Sequence, residues 1–309
     1  FAREVLESFA LGPGNFTEDD VKGAARAFTG WTLDRNLGFV FRPTQHDDGS
    51  KTFLGKSGTF TGEEILSIIV EHPLHQQFIC RKLLAFFVYA DPEPELVNAL
   101  AQIYARSGGD IGLAVETILR SNVFFSERAY RALPKSPLEF VIGTLRFLQI
   151  RKVPKDMLLW LGRMGQSPLA PPGVKGWEGG AAWVTPAALV TRANFVNRIV
   201  RAAPVPVAAT SSVLSTTSFP PADDPETVAA FTPDDVVRRA QGLDPDRVLD
   251  VLVRDVVQDD VTSELRRPIS DCLESKSATL RMPLGPENYE ERIRGALALA
   301  LDLPAYGLN

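Results

Sequence analysis

Four capping residues stand directly before a proline at the head of a helical pattern: Ser136-Pro137, Thr185-Pro186, Thr232-Pro233 and Asp244-Pro245. Proline at the first helical position has its φ preset and lacks only an N–H that would find no partner there. The Ser, Thr or Asp ahead of it accepts a bond from the first turn. Each pair therefore predicts a helix start. Thr17 with Asp20 and Thr61 with Glu64 add the capping-box form of the same signal.

Apolar residues at helical spacing follow these starts, as Val21, Ala24, Ala25 and Phe28 do after Thr17. Further helices are predicted from Leu74 to Tyr89, from Pro94 to Arg106, from Asp110 to Arg120, from Pro154 to Met164 and from Pro286 to Leu303. Trp31-Thr32-Leu33 and Phe39-Val40-Phe41, separated by Asp34 to Gly38, predict a short β-hairpin. The expected fold is mainly α, a compact multi-helix domain with one small β-hairpin. Residues 1–201 are expected to form a helical core that carries the hairpin 31–41 and an ordered loop at 165–183. Segment 202–226 turns to Pro, Ala, Ser and Thr without periodicity and reads as a linker or mobile excursion. Residues 227–309 are expected to supply C-terminal helices packed on the core.

The loop 165–183, GQSPLAPPGVKGWEGGAAW, carries three prolines, five glycines and two tryptophans. Pro171-Pro172 keeps the chain extended, and the glycines allow left-handed turns. Tryptophan in such a backbone marks a loop packed on the body of the protein, not a floppy linker. Its indoles either plug the loop onto the helices or face a cleft beside Lys175 and stack on a ligand.

At 309 residues, with 45% hydrophobic and 23% charged residues, the composition is that of a globular protein with ample core. The net charge of -5 argues against a partner held by phosphate neutralisation, so no nucleic acid is expected. No apolar run approaches the roughly 18 residues of a membrane span. Cys80 and Cys272 match no metal or redox spacing; Cys80 lies in an apolar helical run and reads as a buried free thiol, with a disulfide to Cys272 left open. Phe1 to Glu7 reads as helix interior without a cap, and no signal peptide precedes it. The numbered chain is therefore expected to be a processed or excised part of a longer one.

Chemistry concentrates in few places. His46-Asp47-Asp48 puts a histidine between carboxylates, and Glu4 and Glu7 lie one turn apart on a helix. If these faces met, Glu4, Glu7, His46 and Asp47 could perform acid/base hydrolysis of a glycan or ester, or bind a divalent metal. Equally, they could anchor a loop through hydrogen bonds and ion pairs. No metal ligands are assigned, and the cofactor is left unknown. His72 and His75 are separated by Pro73, so they share no continuous helical face. Gly49 to Ser57 imitates a phosphate-binding loop with one residue too many between its glycine and Gly55-Lys56, and is rejected. Trp31, Lys51, Lys175, Trp177 and Trp183 are candidate ligand-binding residues, aromatic and polar groups on ordered irregular segments.

With FAREVLESFALG (1–12), FTEDDVKGAARAFTGW (16–31), FRPTQHDDGSKTFLG (41–55), FICRKLLAFFV (78–88), KSPLEFVIGTLRFL (135–148), PPGVKGWEGGAAW (171–183) and the ending LDLPAYGLN, the chain resembles the bacterial domain-of-unknown-function family 1800. The resemblance implies a helical portion ahead of FARE and an extracytoplasmic location, periplasmic or secreted, because members often carry export signals. It also implies a protein partner resembling the unknown-function family 1501, whose sulfatase- and phosphatase-like members are commonly encoded alongside. It brings no established activity. Two expectations follow: a binding or assembly protein for a protein or carbohydrate partner outside the cytoplasm, or a hydrolase acting through the carboxylate/histidine set.

Overall fold

Helices begin where the capping residues stand. A computed structural model describes residues 1–150, 153–201, 231–274, 276–277, 280–281 and 283–309. The linker expected at 202–226 lies outside the described residues. The fold is mainly α, with small antiparallel ribbons. The chain divides into two compact units: residues 1–133 with 173–176, and residues 134–172 with 177–309.

The first unit opens with α1 (Ala2–Glu4), which widens into a π-helical turn over Val5–Ala10. Next come α2 (Glu18–Ala27), a hairpin of β1 (Trp31–Leu33) and β2 (Phe39–Phe41), and a second ribbon of β3 (Lys51–Phe53) and β4 (Lys56–Gly58). Four helices complete the unit: α3 (Gly62–Glu71), α4 (Pro73–Phe87), α5 (Pro94–Arg106) and α6 (Ile111–Leu119). Thr17/Asp20 and Thr61/Glu64 form the full reciprocal capping boxes. Asn15 donates to the Leu11 carbonyl at 2.8 Å, so both polar residues of Asn15-Phe16-Thr17 serve helix ends. His72 closes α3 and caps α4, its Nδ1 accepting the Leu74 N–H at 3.2 Å.

Two apolar clusters hold this unit. Leu6, Leu11, Ala24, Phe28, Phe53, Ile65 and Ile69 join α1, α2, β3 and α3. Cys80, Leu84, Val97, Tyr104 and Ile118 join α4, α5 and α6. Cys80 is free and fully buried, and burial pushes its thiol up to about 11, so it is a packing residue; Cys272 is also free.

The second unit contains α7 (Pro137–Phe147), α8 (Met157–Arg163), a 3₁₀ turn at Gly180–Trp183 and α9 (Pro186–Val200). It continues through α10 (Pro233–Arg239), α11 (Pro245–Val257), α12 (Ser263–Glu274), the short ribbon Lys276–Ser277/Leu280–Arg281 and α13 (Tyr289–Leu301). Helix α8 starts three residues later than its proline suggests. α11 is rich in valine, which weakens an isolated helix. Its burial of Val248, Leu252, Val253 and Val256 in the core it shares with α13 and α12 outweighs that preference.

The packing of α2 on β3 requires a glycine. A Cβ on Gly23 would stand 2.3 Å from the Thr52 carbonyl oxygen, a backbone atom that cannot swing aside. Gly143 in α7 is exposed, with nothing within 4 Å of such a Cβ. Gly23→Ala is therefore expected to destabilise the protein by about 1–3 kcal/mol in urea unfolding. Gly143→Ala, relieved of glycine's backbone entropy, is expected to stabilise it by about 0.5–1 kcal/mol. Equal effects would mean that α2 does not lie hard against β3.

Candidate functional site

In the first unit α2 spans both ends of the segment that contains His46 and Asp47. At its N-terminal end Asp20 accepts the Thr17 N–H at 2.8 Å through one oxygen and the Leu54 N–H at 2.7 Å through the other. At its C-terminal end Arg26 donates to both oxygens of Asp47, at 2.7 and 3.1 Å, and to the Ser50 carbonyl at 2.9 Å. Asp47 also accepts the Gly49 N–H at 2.9 Å. Arg26, and then the Gly49 amide, hold the Asp47 carboxyl well below the usual carboxylate range.

His46 sits in the same network with its side chain almost wholly covered. Its Nδ1 donates to the Thr29 carbonyl at 2.9 Å, which fixes the tautomer, because a carbonyl only accepts. Its Nε2 lies 3.9 Å from Asp48, beyond hydrogen-bond reach. Thr29 ties the loop to the end of α2: its hydroxyl donates to the Arg26 carbonyl and accepts the Asp47 N–H at 2.8 Å. Lys51 is only 2% exposed, and its ammonium lies inside the loop, donating to the Asp47 carbonyl and to that of Gly49 at 3.0 Å.

Glu4 and Glu7 form a separate set. The π turn carries α1 into a wider spiral, with the Leu11 N–H reaching back to the Leu6 carbonyl at 2.8 Å. Glu4 accepts the Ser8 hydroxyl at 3.1 Å. Glu7 pairs with Lys175 at 2.7 Å, and that bond lowers its pKa. Among the described residues no hydrogen bond or ion pair links Glu4 or Glu7 to His46 or Asp47. Each of the four has a partner: His46 and Asp47 bind backbone at Thr29 and Gly49, whereas Glu4 and Glu7 bind the side chains of Ser8 and Lys175.

The aromatic candidates differ from one another. Trp31 is half-buried between Phe28 at 5.0 Å and Phe39 at 5.4 Å, ring centre to ring centre, and its Nε1 is buried without a hydrogen-bond partner among the described residues. In the second unit Trp177 is half-buried, while Trp183 is buried. The Trp183 carbonyl accepts from Arg192 at 3.3 Å.

Arg192 had no local signal in the sequence. It is buried in α9, donates to the Lys135 carbonyl at 2.7 Å and lies 4.8 Å from the centre of the Phe140 ring. Lys135 in turn donates to the Tyr306 carbonyl at 2.7 Å, so three segments distant in sequence are clasped by two cations on carbonyls. Burial lowers the Arg192 pKa.

The family model described as protein of unknown function (DUF1800) matches residues 1–308. The chain belongs to this family. No curated protein and no solved structure matches it. The two cation-held clasps of this DUF1800 chain, around Asp47 and around Arg192, both lie within the matched residues. Among the described residues of the DUF1800 fold, no group of three or more His, Cys, Asp or Glu could hold a metal ion. No described helix is long and apolar enough to cross a membrane.

The Asp47–Arg26 pair has a pH signature. A carboxyl depressed in the folded state stabilises the fold above its unfolded pKa, near ~4, and loses that contribution as pH falls through the folded value. Asp47→Asn is therefore expected to melt lower than wild type at pH 7, with the gap narrowing below about pH 4. A gap that stayed constant from pH 7 to pH 2 would mean that Asp47 gains nothing from Arg26.

Proposed function

We propose that this DUF1800 protein is a binding or assembly protein acting outside the cytoplasm on a protein or carbohydrate partner. One contrast carries the reading. Of the groups suited to acid/base work, Asp47 is bound at both oxygens, Glu7 is paired with Lys175, Glu4 accepts the Ser8 hydroxyl and His46 spends its Nδ1 on the Thr29 carbonyl. The hairpin beside them leaves large apolar side chains open to solvent. A hydrolytic acid or base must be free to exchange a proton with substrate. A recognition surface needs the opposite, rigid backing and exposed contact groups.

On this reading the candidate binding residues divide their labour. Trp31, Lys175 and Trp177 keep surface available for contact, whereas Lys51 and Trp183 hold the irregular segments from beneath. The extracytoplasmic setting and a family-1501 partner rest on family membership, and carbohydrate rests on aromatic residues near polar loops.

The test is titration of the purified protein against a purified family-1501 member by calorimetry, alongside a glycan array. Association with either is expected. Absence of both, together with turnover of a glycan or ester panel that is lost in Asp47→Asn or Glu7→Gln, would replace binding with hydrolysis.

A further inference from the structure

Resting on the binding reading, the geometry of the first hairpin names the kind of partner. Its register pairs Trp31 with Phe41, Thr32 with Val40 and Leu33 with Phe39. Side chains alternate across a ribbon and directly paired residues share a face. Trp31, Leu33, Phe39 and Phe41 thus lie together on one face, and Thr32 and Val40 on the other. The apolar face is not packed away: Leu33 is 58%, Phe39 61% and Phe41 43% exposed, and Leu37 in the connecting turn is 79% exposed.

Leu37 is doubly out of place. It adopts a left-handed φ of 62°, where glycine or asparagine would sit without strain. The turn does not need its side chain, since the Asp34 carboxylate folds it by accepting the Asn36 and Gly38 N–H groups, both at 2.8 Å. Neither folding nor solubility calls for leucine there.

Backbone on the same ribbon is also unspent. Asp34 donates to Gly38 at 2.9 Å and Arg42 donates to Gly30 at 2.8 Å, which marks Thr32/Val40 as the hydrogen-bonded pair between them. The N–H and C=O groups of Phe39 and Phe41 then point outward from β2. Neither residue has another backbone partner among the described residues.

These features discriminate between occupants. A sugar needs directed polar groups, and on this face the one polar side-chain atom, Trp31 Nε1, is buried. A bilayer would leave the outward amides and carbonyls without partners, a penalty of several kcal/mol for each in hydrocarbon. At about 200 Å² for a full side chain of this size, Leu33, Leu37, Phe39 and Phe41 expose roughly 480 Å². That exceeds scattered surface leucines, but falls below the ~800 Å² per partner of a stable dimer. We infer that β2 receives an extended segment of a partner protein, which adds as a strand to its outer edge and lays apolar side chains beside Phe39, Phe41 and Leu33.

The test uses the full chain and fluorescein-labelled heptapeptides of alternating valine and threonine with lysine ends, read by anisotropy. One peptide is unmodified, and the other is N-methylated at every second residue, which removes the pairing amides and keeps the side chains. The unmodified peptide is expected to bind saturably, and the methylated one at least tenfold more weakly. Phe39→Glu is expected to lose at least tenfold with at most a small drop in melting temperature, because Phe39 is 61% exposed and its one ring contact is with Trp31. Leu37→Asn, which relieves the turn, serves as the second variant should Phe39→Glu unfold, and is expected to weaken binding while raising the melting temperature. Equal binding of both peptides, no binding of either, or binding indifferent to both variants overturns strand addition. So does a dimer, or adhesion to phosphatidylcholine/phosphatidylglycerol vesicles, that Phe39→Glu abolishes. A family-1501 protein that still binds Phe39→Glu removes the strand and leaves the binding reading standing, whereas loss of all association removes both.

Discussion

The ammonium of Lys51 sits inside a turn of its own chain, donating to the carbonyls of Asp47 and Gly49 four and two residues back. A buried cation must be satisfied or its burial is costly. Here it is satisfied by backbone oxygens that would otherwise be poorly placed for any partner. Arg26 completes the arrangement from outside, covering the Asp47 carboxylate and the Ser50 carbonyl. Between them the two cations fix the path from His46 to Lys51. That path sets where β3 begins, and β3 lies against α2 at Gly23 with Phe53 driven into the core.

The same device recurs in the second unit with different chemistry. Arg192 and Lys135 each bind carbonyl oxygens and lie against aromatic rings, Phe140 and Tyr306. Cations on carbonyls tolerate irregular backbone, since they can satisfy acceptors that neither helix nor sheet reaches. In both units cations on carbonyls thus hold irregular backbone, and in the first unit the adjoining hairpin is among the segments that leave apolar side chains exposed.

Helix starts were legible because their signals are local. The boxes at Thr17/Asp20 and Thr61/Glu64 span four residues and the Ser136-Pro137 start only two, and Ser136 proves to form a box with Glu139 as well. The hairpin 31–41 was legible from its apolar triplets around a polar turn. Helix α12 was not, because Pro268 lies within it and argues for a break; burial of Ile269 and Leu273 keeps it helical. The ribbon 51–58 left only a faint trace, the glycine of its two-residue turn Leu54-Gly55, and the π turn at Val5–Ala10 was not expected. The partners of the candidate residues lay furthest from view. Asp47 meets Arg26 across 21 residues and Glu7 meets Lys175 across 168, and neither spacing is a pattern that a sequence displays. A histidine between two aspartates looks the same whether it works on a substrate or anchors a loop.

What decides between those roles is whether the network around Lys51 carries stability. The most direct measurement is the urea-unfolding free energy of Lys51→Met at neutral pH, a change that keeps the length of the side chain and removes its charge. Leaving the Asp47 and Gly49 carbonyls without their donor is expected to lower stability by about 2 kcal/mol. A variant as stable as wild type would contradict the account, because the loop's conformation would then owe nothing to the cation at its centre.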